Sequence, residues 1–197
     1  MKSWRTWSVV SMIIALIIAG CSSVSAAPVQ TKVVIDGKGE DWATYMPIVS
    51  DFKDDEAPGS PDIGEVRAFC NDTYLYVNIK LNKDGATDHY DLLLNLGSDF
   101  NFDYQLSIRP EMNEARFSTF PVTEEMNLID GVTSAKGEVI EVKMPLSLVG
   151  GKPVTGLLVQ TYSITNHSVD DMAQGSVPKV NEVETLNTET STTAPGQ

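Results

Sequence analysis

Clustered carboxylates are the first side chains in this sequence whose type and spacing could support a defined chemistry. Four aspartates lie in or beside a loop that contains proline and glycine: Asp51, Asp54, Asp55 and Asp62. Hard cations such as Ca²⁺ need about six to eight oxygen ligands, and carboxylates on a bent backbone supply them. The cluster therefore predicts a calcium site, and a solvated acidic loop is the alternative.

Aromatic side chains form a second group, which could stack on a ring-shaped ligand. The candidates are Phe69, Tyr74, Tyr76, Tyr90, Phe100 and Phe102. Alternation along two neighbouring segments places Phe69, Tyr74 and Tyr76 on one outward face. We interpret these three rings either as a platform for sugar rings or as ordinary cross-strand packing.

Side chains suited to catalysis are sparse. The chain has two histidines, His89 and His167, and it lacks the common hydrolase, metalloprotease, phosphate-loop and dinucleotide motifs. Cys70 falls on the inward side of a predicted strand, which indicates a buried apolar thiol rather than a nucleophile. The sequence therefore predicts a protein that is not an enzyme.

Strands must position these groups, because apolar residues recur at every second position. Strands are predicted at residues 32–35, 63–70, 73–81, 89–96, 104–109, 115–120, 138–144 and 154–163. Asn71-Asp72 is typical of a hairpin turn, and short helical turns are predicted at 40–45 and 146–149. Many short strands separated by turn residues predict an all-β fold, an antiparallel and jelly-roll-like β-sandwich.

Composition narrows the function further. The 197 residues include 27 acidic and 14 basic side chains, for a formal net charge of −13. Such a chain cannot assemble the basic surface that nucleic acid requires. Two cysteines and two histidines also exclude a disulfide framework and a histidine-rich zinc site.

The amino-terminal residues have the pattern of an export signal. Lys2 and Arg5 precede an apolar run over residues 9–20, which is shorter than the roughly 20 residues of a membrane-spanning helix. The run ends in Ile18-Ala19-Gly20-Cys21, which resembles a bacterial lipobox. The resemblance implies cleavage after residue 20, acylation of Cys21 and attachment to the outer side of a plasma or outer membrane.

Composition also divides the rest of the chain. Residues 21–29 are small and include Pro28, as expected of a linker. Residues 168–197 contain no aromatic side chain and are rich in serine, threonine and acids, so we predict a disordered tail. One folded domain is expected over residues 30–167.

Four ordered motifs resemble those of family 9 carbohydrate-binding modules and related sandwiches. The first contains Asp36-Gly37 and Asp41-Trp42, and the later ones begin at Asp72, Phe102 and Val139. The resemblance implies a sandwich in which Asp36, Gly37, Asp41 and Trp42 are structural. We expect Trp42 to fold over one end of the sandwich, so stacking on sugar falls to tyrosine and phenylalanine.

These observations predict a membrane-anchored extracytoplasmic lipoprotein with a non-catalytic binding module for carbohydrate. One alternative is an accessory envelope lipoprotein that contacts other proteins. Another is a haem-binding sandwich of related fold, for which Met112, Met126 and Met144 are available ligands.

Overall fold

Eleven strands and three 3₁₀ turns make up the part of the chain that the computed structural model describes, residues 32–51, 59–97, 99, 101–163 and 168–180. The strands are β1 (Val49–Ser50), β2 (Asp62–Cys70), β3 (Tyr74–Lys83), β4 (His89–Asn95), β5 (Tyr104–Arg109), β6 (Glu114–Thr119), β7 (Asn127–Leu128), β8 (Thr133–Lys136), β9 (Ile140–Pro145), β10 (Gly156–Ser163) and β11 (Ser168–Ser176). The 3₁₀ turns are Glu40–Trp42, Pro110–Met112 and Leu146–Val149.

The strands form two antiparallel sheets that pack face to face. The first sheet has the order β1-β2-β3-β9-β8, and the second has the order β11-β10-β4-β5-β6-β7. Each sheet contributes alternate residues to the core. The buried core side chains include Val66, Val77, Ile79 and Val142 from the first sheet and Leu92, Leu94, Leu106, Ile108 and Leu157 from the second. The predicted all-β sandwich is confirmed.

Most strand predictions are confirmed to within two residues, from the segment predicted at 63–70 to the one predicted at 154–163. The hairpin between β2 and β3 is also confirmed, with Cys70 opposite Leu75. The Asn71 side chain closes its turn, because Oδ1 accepts hydrogen bonds from the backbone N–H groups of Thr73 at 2.8 Å and Tyr74 at 2.6 Å. The turn-forming residue Asn71 and the alternation in the two flanking strands therefore indicate the same hairpin.

The strand predicted at residues 32–35 is absent. Among the described residues this segment has no ladder partner, yet Val33 and Ile35 pack against a cluster of buried aromatic residues. Half-buried and exposed side chains do alternate here, but the burial comes from side-chain packing without a backbone ladder. Strands β1, β7 and β8 were not predicted, since they are two to four residues long and carry little apolar signal.

The predicted end of the folded domain at residue 167 is wrong. Strand β11 pairs with β10 from Ser168 to Ser176, within the segment predicted to be a disordered tail. Its inward positions include Asp171 and Ala173 rather than large apolar residues. The carboxylate of Asp171 accepts a hydrogen bond from the backbone N–H of Ile63 at 2.5 Å, so a polar contact secures this edge. Residues 181–197 lie outside the described residues.

A small second core covers the outer face of the first sheet. Trp42 is fully buried against Phe69, and Tyr76 stacks on Phe69 with the ring centroids 4.8 Å apart. Tyr45 stacks on the other side of Phe69 at 4.4 Å. Trp42 therefore does not close one end of the sandwich as predicted, but lies on the face of a sheet. The amino-terminal segment adds its apolar side chains to this cluster.

Glu141 of β9 holds this second core in place. Its Oε1 accepts a hydrogen bond from the Trp42 indole N–H at 2.9 Å, and its Oε2 accepts from the backbone N–H groups of Asp36 at 2.8 Å and Gly37 at 2.6 Å. Gly37 has φ +79°, and a Cβ there would lie 2.8 Å from the nitrogen of Gly137. Only glycine fits this turn without strain.

The two aspartates of the first motif also accept hydrogen bonds from the backbone. A carboxylate oxygen of Asp41 accepts a hydrogen bond from the N–H of Val34 at 2.5 Å, and Asp36 accepts one from the N–H of Lys38 at 3.0 Å. Both side chains thus organise the chain around Trp42.

Candidate functional site

An open groove of about 520 Å³ lies on the outer face of the second sheet. Its floor comes from β4, β5, β6 and β10, and its walls include Tyr162, Val122 and Met126. A groove of this volume falls within the range of small-molecule binding sites.

Strand register explains why polar side chains line this floor. Asp91 lies opposite Gln160 on one side and Ser107 on the other, and Ser107 lies opposite Arg116. The residues between them along each strand, such as Leu92, are buried between the two sheets. Because side chains alternate across a strand, four strands together present one row of polar groups to the groove.

Asp91 is the centre of this row, although only 2% of its surface is exposed. Its carboxylate accepts a hydrogen bond from the Ser107 hydroxyl and another from the Gln160 amide at 3.3 Å, and Nε2 of His89 lies 3.4 Å away. Burial acts to raise the pKa of Asp91, but hydrogen bonds from His89 and Ser107 outweigh it and hold the pKa below its ordinary value of 3.8.

The arrangement differs from that of a serine hydrolase. Catalysis of that kind requires the histidine to accept a proton directly from the serine hydroxyl. Here the carboxylate of Asp91 lies between the two, so the hydroxyl of Ser107 donates to Asp91. The three groups fix one another's positions on the floor of the groove.

Charges in the groove nearly balance. Nε of Arg116 donates to a carboxylate oxygen of Glu114 at 2.8 Å, and Arg109 lies 3.8 Å from the same oxygen. The hydrogen bond from Arg116 lowers the pKa of Glu114. Two arginines therefore face two carboxylates, counting Asp91, and Arg116 keeps 42% of its side chain exposed.

The walls add apolar surface to this polar floor. The ring of Tyr162 packs beside that of His89, with the centroids 5.1 Å apart and a tilt of 33°. On the opposite side Val122 remains 39% exposed, and Met126 lies next to the Ser107 hydroxyl at 3.3 Å. A ligand in the groove meets hydrogen-bonding groups below and carbon surfaces at the sides.

The Asp91 network predicts a pH-dependent contribution to stability. Because the folded-state pKa is depressed, this contribution is complete above about pH 4 and is lost as the pH falls through the folded-state pKa. We expect Asp91→Asn to lower the free energy of unfolding at neutral pH by about 1.5–3 kcal/mol. The difference from the wild type should shrink below about pH 4.

Urea unfolding at several pH values measures this effect. The exposed Asp130 serves as a control, since Asp130→Asn should change stability little at any pH. A deficit of Asp91→Asn that stays constant from neutral to acidic pH would show that the carboxylate charge is not responsible.

The predicted aromatic platform on the first sheet is wrong for two of its three rings. Phe69 is 4% exposed and Tyr76 is 7% exposed, because Trp42 and Tyr45 cover them. Cross-strand packing, the alternative interpretation, is what the structure contains. Tyr74 is half-buried, and the ammonium of Lys143 lies 3.9 Å from its ring centroid.

The other aromatic candidates have different positions. Tyr90 is 1% exposed and belongs to the main core, so it cannot stack on a ligand, and burial raises the pKa of its hydroxyl. Phe102 is half-buried and lies beside a further cavity on the second sheet. Phe100 lies outside the described residues.

The calcium prediction is neither supported nor overturned. Asp54 and Asp55 lie outside the described residues, and Asp62 is buried, where it accepts a hydrogen bond from the Asn82 amide at 3.1 Å. Asp51 is half-buried beside β1. Within the described ranges, no three histidine, cysteine or acidic side chains are placed to hold a metal ion.

The remaining candidates do not meet at one site. Met144 is buried in the core, Met126 lies in the groove and Met112 is 67% exposed on a 3₁₀ turn. Cys70 is fully buried, and burial raises the pKa of its thiol to about 11. This placement agrees with a packing role for Cys70. Cys21 lies outside the described residues.

The groove residues were not predicted from the sequence, although they occupy the polar positions of the predicted strands. The polar members of the alternation in the strands predicted at 89–96 and 104–109 include Asp91, Gln105 and Ser107. Alternation alone indicates only that such residues leave the core. Their assembly into one site depends on the pairing of β4 with β5, the next strand, and with β10, whose Gln160 is 69 residues after Asp91.

The described residues contain no helix that is long and apolar enough to cross a bilayer. No protein-family model and no curated protein matches this chain in sequence.

Proposed function

We propose that this chain is an envelope lipoprotein whose β-sandwich is a non-catalytic carbohydrate-binding module. The observation that carries the proposal is the groove on the second sheet, with hydrogen-bonding side chains on its floor and carbon surfaces on its walls. Anchoring through acylated Cys21 rests on the lipobox-like residues 18–21. In this proposal the protein faces away from the cytoplasm.

The chemistry of the groove suits a sugar. A sugar ring presents hydroxyl groups around its edge and C–H groups on its faces. Planar amide, guanidinium and carboxylate groups, as in Gln160, Arg116 and Glu114, hydrogen-bond to hydroxyls in pairs. The Tyr162 ring offers a rigid apolar surface with a polar tip, and Val122 and Met126 extend the apolar contact.

The positions of Val33 and Ile35 are compatible with a surface-binding role. Val33 and Ile35 pack on the outer face of the first sheet, against the Trp42 cluster. The groove lies on the outer face of the second sheet, on the opposite side of the sandwich. A membrane anchor that precedes Val33 is therefore compatible with a groove directed away from the membrane.

The resemblance to family 9 carbohydrate-binding modules supports the same class of ligand. Its motif residues hold the amino-terminal turn and Trp42 around Glu141. Since folds do not carry function, the argument for sugar rests on the groove itself.

Protein contact is the second candidate function. Three apolar side chains stay partly or largely exposed along β6, β7 and the segment between them: Phe120 at 37%, Val122 at 39% and Leu128 at 67%. Such a patch beside a short edge strand fits an accessory envelope lipoprotein that docks on another protein. Crosslinking in intact cells from residue 128 would detect that partner.

A pair of matched tyrosine variants tests the carbohydrate proposal. Tyr162 and Tyr74 are both half-buried, but they lie on opposite faces of the sandwich. On an array of plant, microbial and host glycans, the purified full chain is expected to bind a defined set. Tyr162→Ala should weaken that binding about tenfold, the loss of roughly one ring contact, and Tyr74→Ala should leave it unchanged.

Two results would count against the proposal. If the wild-type chain retains no glycan, the groove does not bind carbohydrate. If Tyr74→Ala weakens binding and Tyr162→Ala does not, the site is on the first sheet. Unfolding of each variant, followed by the fluorescence of Trp42, shows whether a loss of binding reflects a loss of structure.

A further inference from the structure

Residues 33–46 form a strap that lies on the outer face of the first sheet without joining its ladder. Between described residues, one backbone-to-backbone hydrogen bond links the strap to the rest of the chain, from the N–H of Val139 to the carbonyl of Gly37 at 3.1 Å. The side chains of Glu141 and Arg67 add further hydrogen bonds to the strap. The strap is therefore held as a bound peptide is held, through side chains on a preformed surface.

The surface under the strap has the groups that recognise an aromatic peptide. The ring of Phe69 lies between those of Tyr45 and Tyr76, stacked on both at centroid distances of 4.4 and 4.8 Å. Trp42 packs against the same ring at 5.6 Å, and its indole N–H donates to Glu141. Stacked rings together with a buried acceptor bind an aromatic side chain that also carries a donor.

The strap leaves one buried polar group of this surface unpaired. Asn78 of β3 lies opposite Arg67 on one side and Glu141 on the other, so all three side chains leave the sheet on its outer face. Asn78 is 0% exposed, and neither atom of its amide group has a hydrogen-bond partner among the described residues. A buried amide without partners is costly. The strap is thus an incomplete ligand for this surface.

Gly39 is the strap residue above this amide. A Cβ added there would lie 3.4 Å from Nδ2 of Asn78, so a polar side chain at this position would reach the unpaired amide. Gly39 has φ +74°, a conformation that asparagine adopts more readily than most residues. The same Cβ would press on the methyl groups of Val139 at 3.0 and 3.2 Å, contacts that a small shift of this half-buried side chain relieves.

We propose that the outer face of the first sheet is a peptide-binding surface, which the strap occupies as an autoinhibitory contact. The partner is an extended segment of another protein, with an aromatic side chain in the place of Trp42 and a polar side chain in the place of Gly39. A second copy of this chain carries the same glycine and gains nothing over the strap. The inference concerns the face opposite the groove, so it stands or falls independently of sugar binding.

Labelled peptides added to the purified full chain test the inference by fluorescence anisotropy. The first peptide has the sequence of residues 32–46, and the receptors are the wild type and Trp42→Ala, whose own strap has lost its buried ring. We expect Trp42→Ala to bind the peptide. The wild type should bind it about tenfold more weakly or worse, because its attached strap competes at an effective concentration of about millimolar.

A second peptide tests the role of the unpaired amide. It carries Gly39→Asn and is expected to bind Trp42→Ala about three- to tenfold more tightly than the first peptide, the gain from one buried hydrogen bond. The double variant Trp42→Ala/Asn78→Leu should bind both peptides alike. This comparison separates the contact with Asn78 from any general effect of asparagine on the peptide.

Hydrogen exchange of the wild type tests the opening of the strap without any variant of Trp42. The amides of Gly37 and Trp42 are expected to exchange about tenfold faster or more than that of Val77 in β3. Asn78→Leu removes the unpaired amide and should slow exchange in the strap several-fold. Lys80→Ala, at an exposed position of the same strand, is the control and should leave it unchanged.

Several results would overturn the inference. One is a Trp42→Ala chain that is folded by circular dichroism and binds neither peptide, and another is equal binding of the first peptide by Trp42→Ala and the wild type. If Trp42→Ala does not fold, exchange decides, and strap amides as protected as Val77 reject an opening strap. Wild-type dimers that are lost in Trp42→Ala would identify a second copy as the occupant and reject a different partner.

Discussion

Glu141→Ala is expected to lower the free energy of unfolding by about 3 kcal/mol or more. The buried carboxylate accepts hydrogen bonds from the Trp42 indole and from the backbone N–H groups of Asp36 and Gly37. Each donor left unpaired in the interior costs about 1–3 kcal/mol. Urea unfolding followed by indole fluorescence measures the loss, because Trp42 is the only tryptophan that follows the predicted cleavage after residue 20.

Two comparisons isolate the carboxylate of Glu141. Glu138 lies three residues earlier and is exposed, so Glu138→Ala should change stability by less than about 0.5 kcal/mol. Glu141→Gln keeps one acceptor oxygen and should fall between the wild type and Glu141→Ala. If Glu141→Ala unfolds at the same urea concentration as Glu138→Ala, the amino-terminal segment is held by apolar packing and the carboxylate is dispensable.

Replacement of Cys21 by serine is expected to move the protein from the membrane fraction to the soluble fraction. A hydroxyl cannot take up the thioether-linked lipid that a lipobox cysteine receives. Each buried methylene of an acyl chain contributes about 0.8 kcal/mol to membrane binding, so several chains hold the protein tightly and their removal releases it. Fractionation of expressing cells and mass spectrometry of the mature amino terminus measure the change.

Cys70 provides the matched control for Cys21. It is the second cysteine of the chain and is fully buried, so Cys70→Ala removes a thiol without removing the proposed anchor. Cys70→Ala should remain in the membrane fraction. A Cys21→Ser protein that still sediments with membranes, or a mature terminus with an unmodified thiol, contradicts the lipid anchor.

If experiments confirm both the lipid anchor and ligand binding in the groove, the two faces of the sandwich have different functions. The outer face of the first sheet is covered by the amino-terminal segment and the Trp42 cluster. The outer face of the second sheet stays open and carries the polar row around Asp91. The bound ligand would then be held on the side of the domain that faces away from the membrane.

The main strands could be predicted from the sequence because their signal is local. In β2 and β3 the alternation from Val66 to Ile79 reports which side chains are buried, and Asn71 supplies the turn between them. The all-β class follows, since a period of two residues is incompatible with a helix. The same local signal placed Cys70 in the core.

Only the tertiary structure decided what the outward residues do. Phe69 and Asp91 both occupy outward positions, but Phe69 is buried under Trp42, and Asp91 joins the floor of a groove. The difference depends on Glu141, which is 99 residues after Trp42 in the chain, and on the pairing of β4 with β10. Strand β11 also depends on a contact between distant segments, because Asp171 accepts a hydrogen bond from the backbone N–H of Ile63, 108 residues away. Alternation records whether a side chain leaves the core, whereas its partners on the outer face come from distant segments that only folding brings together.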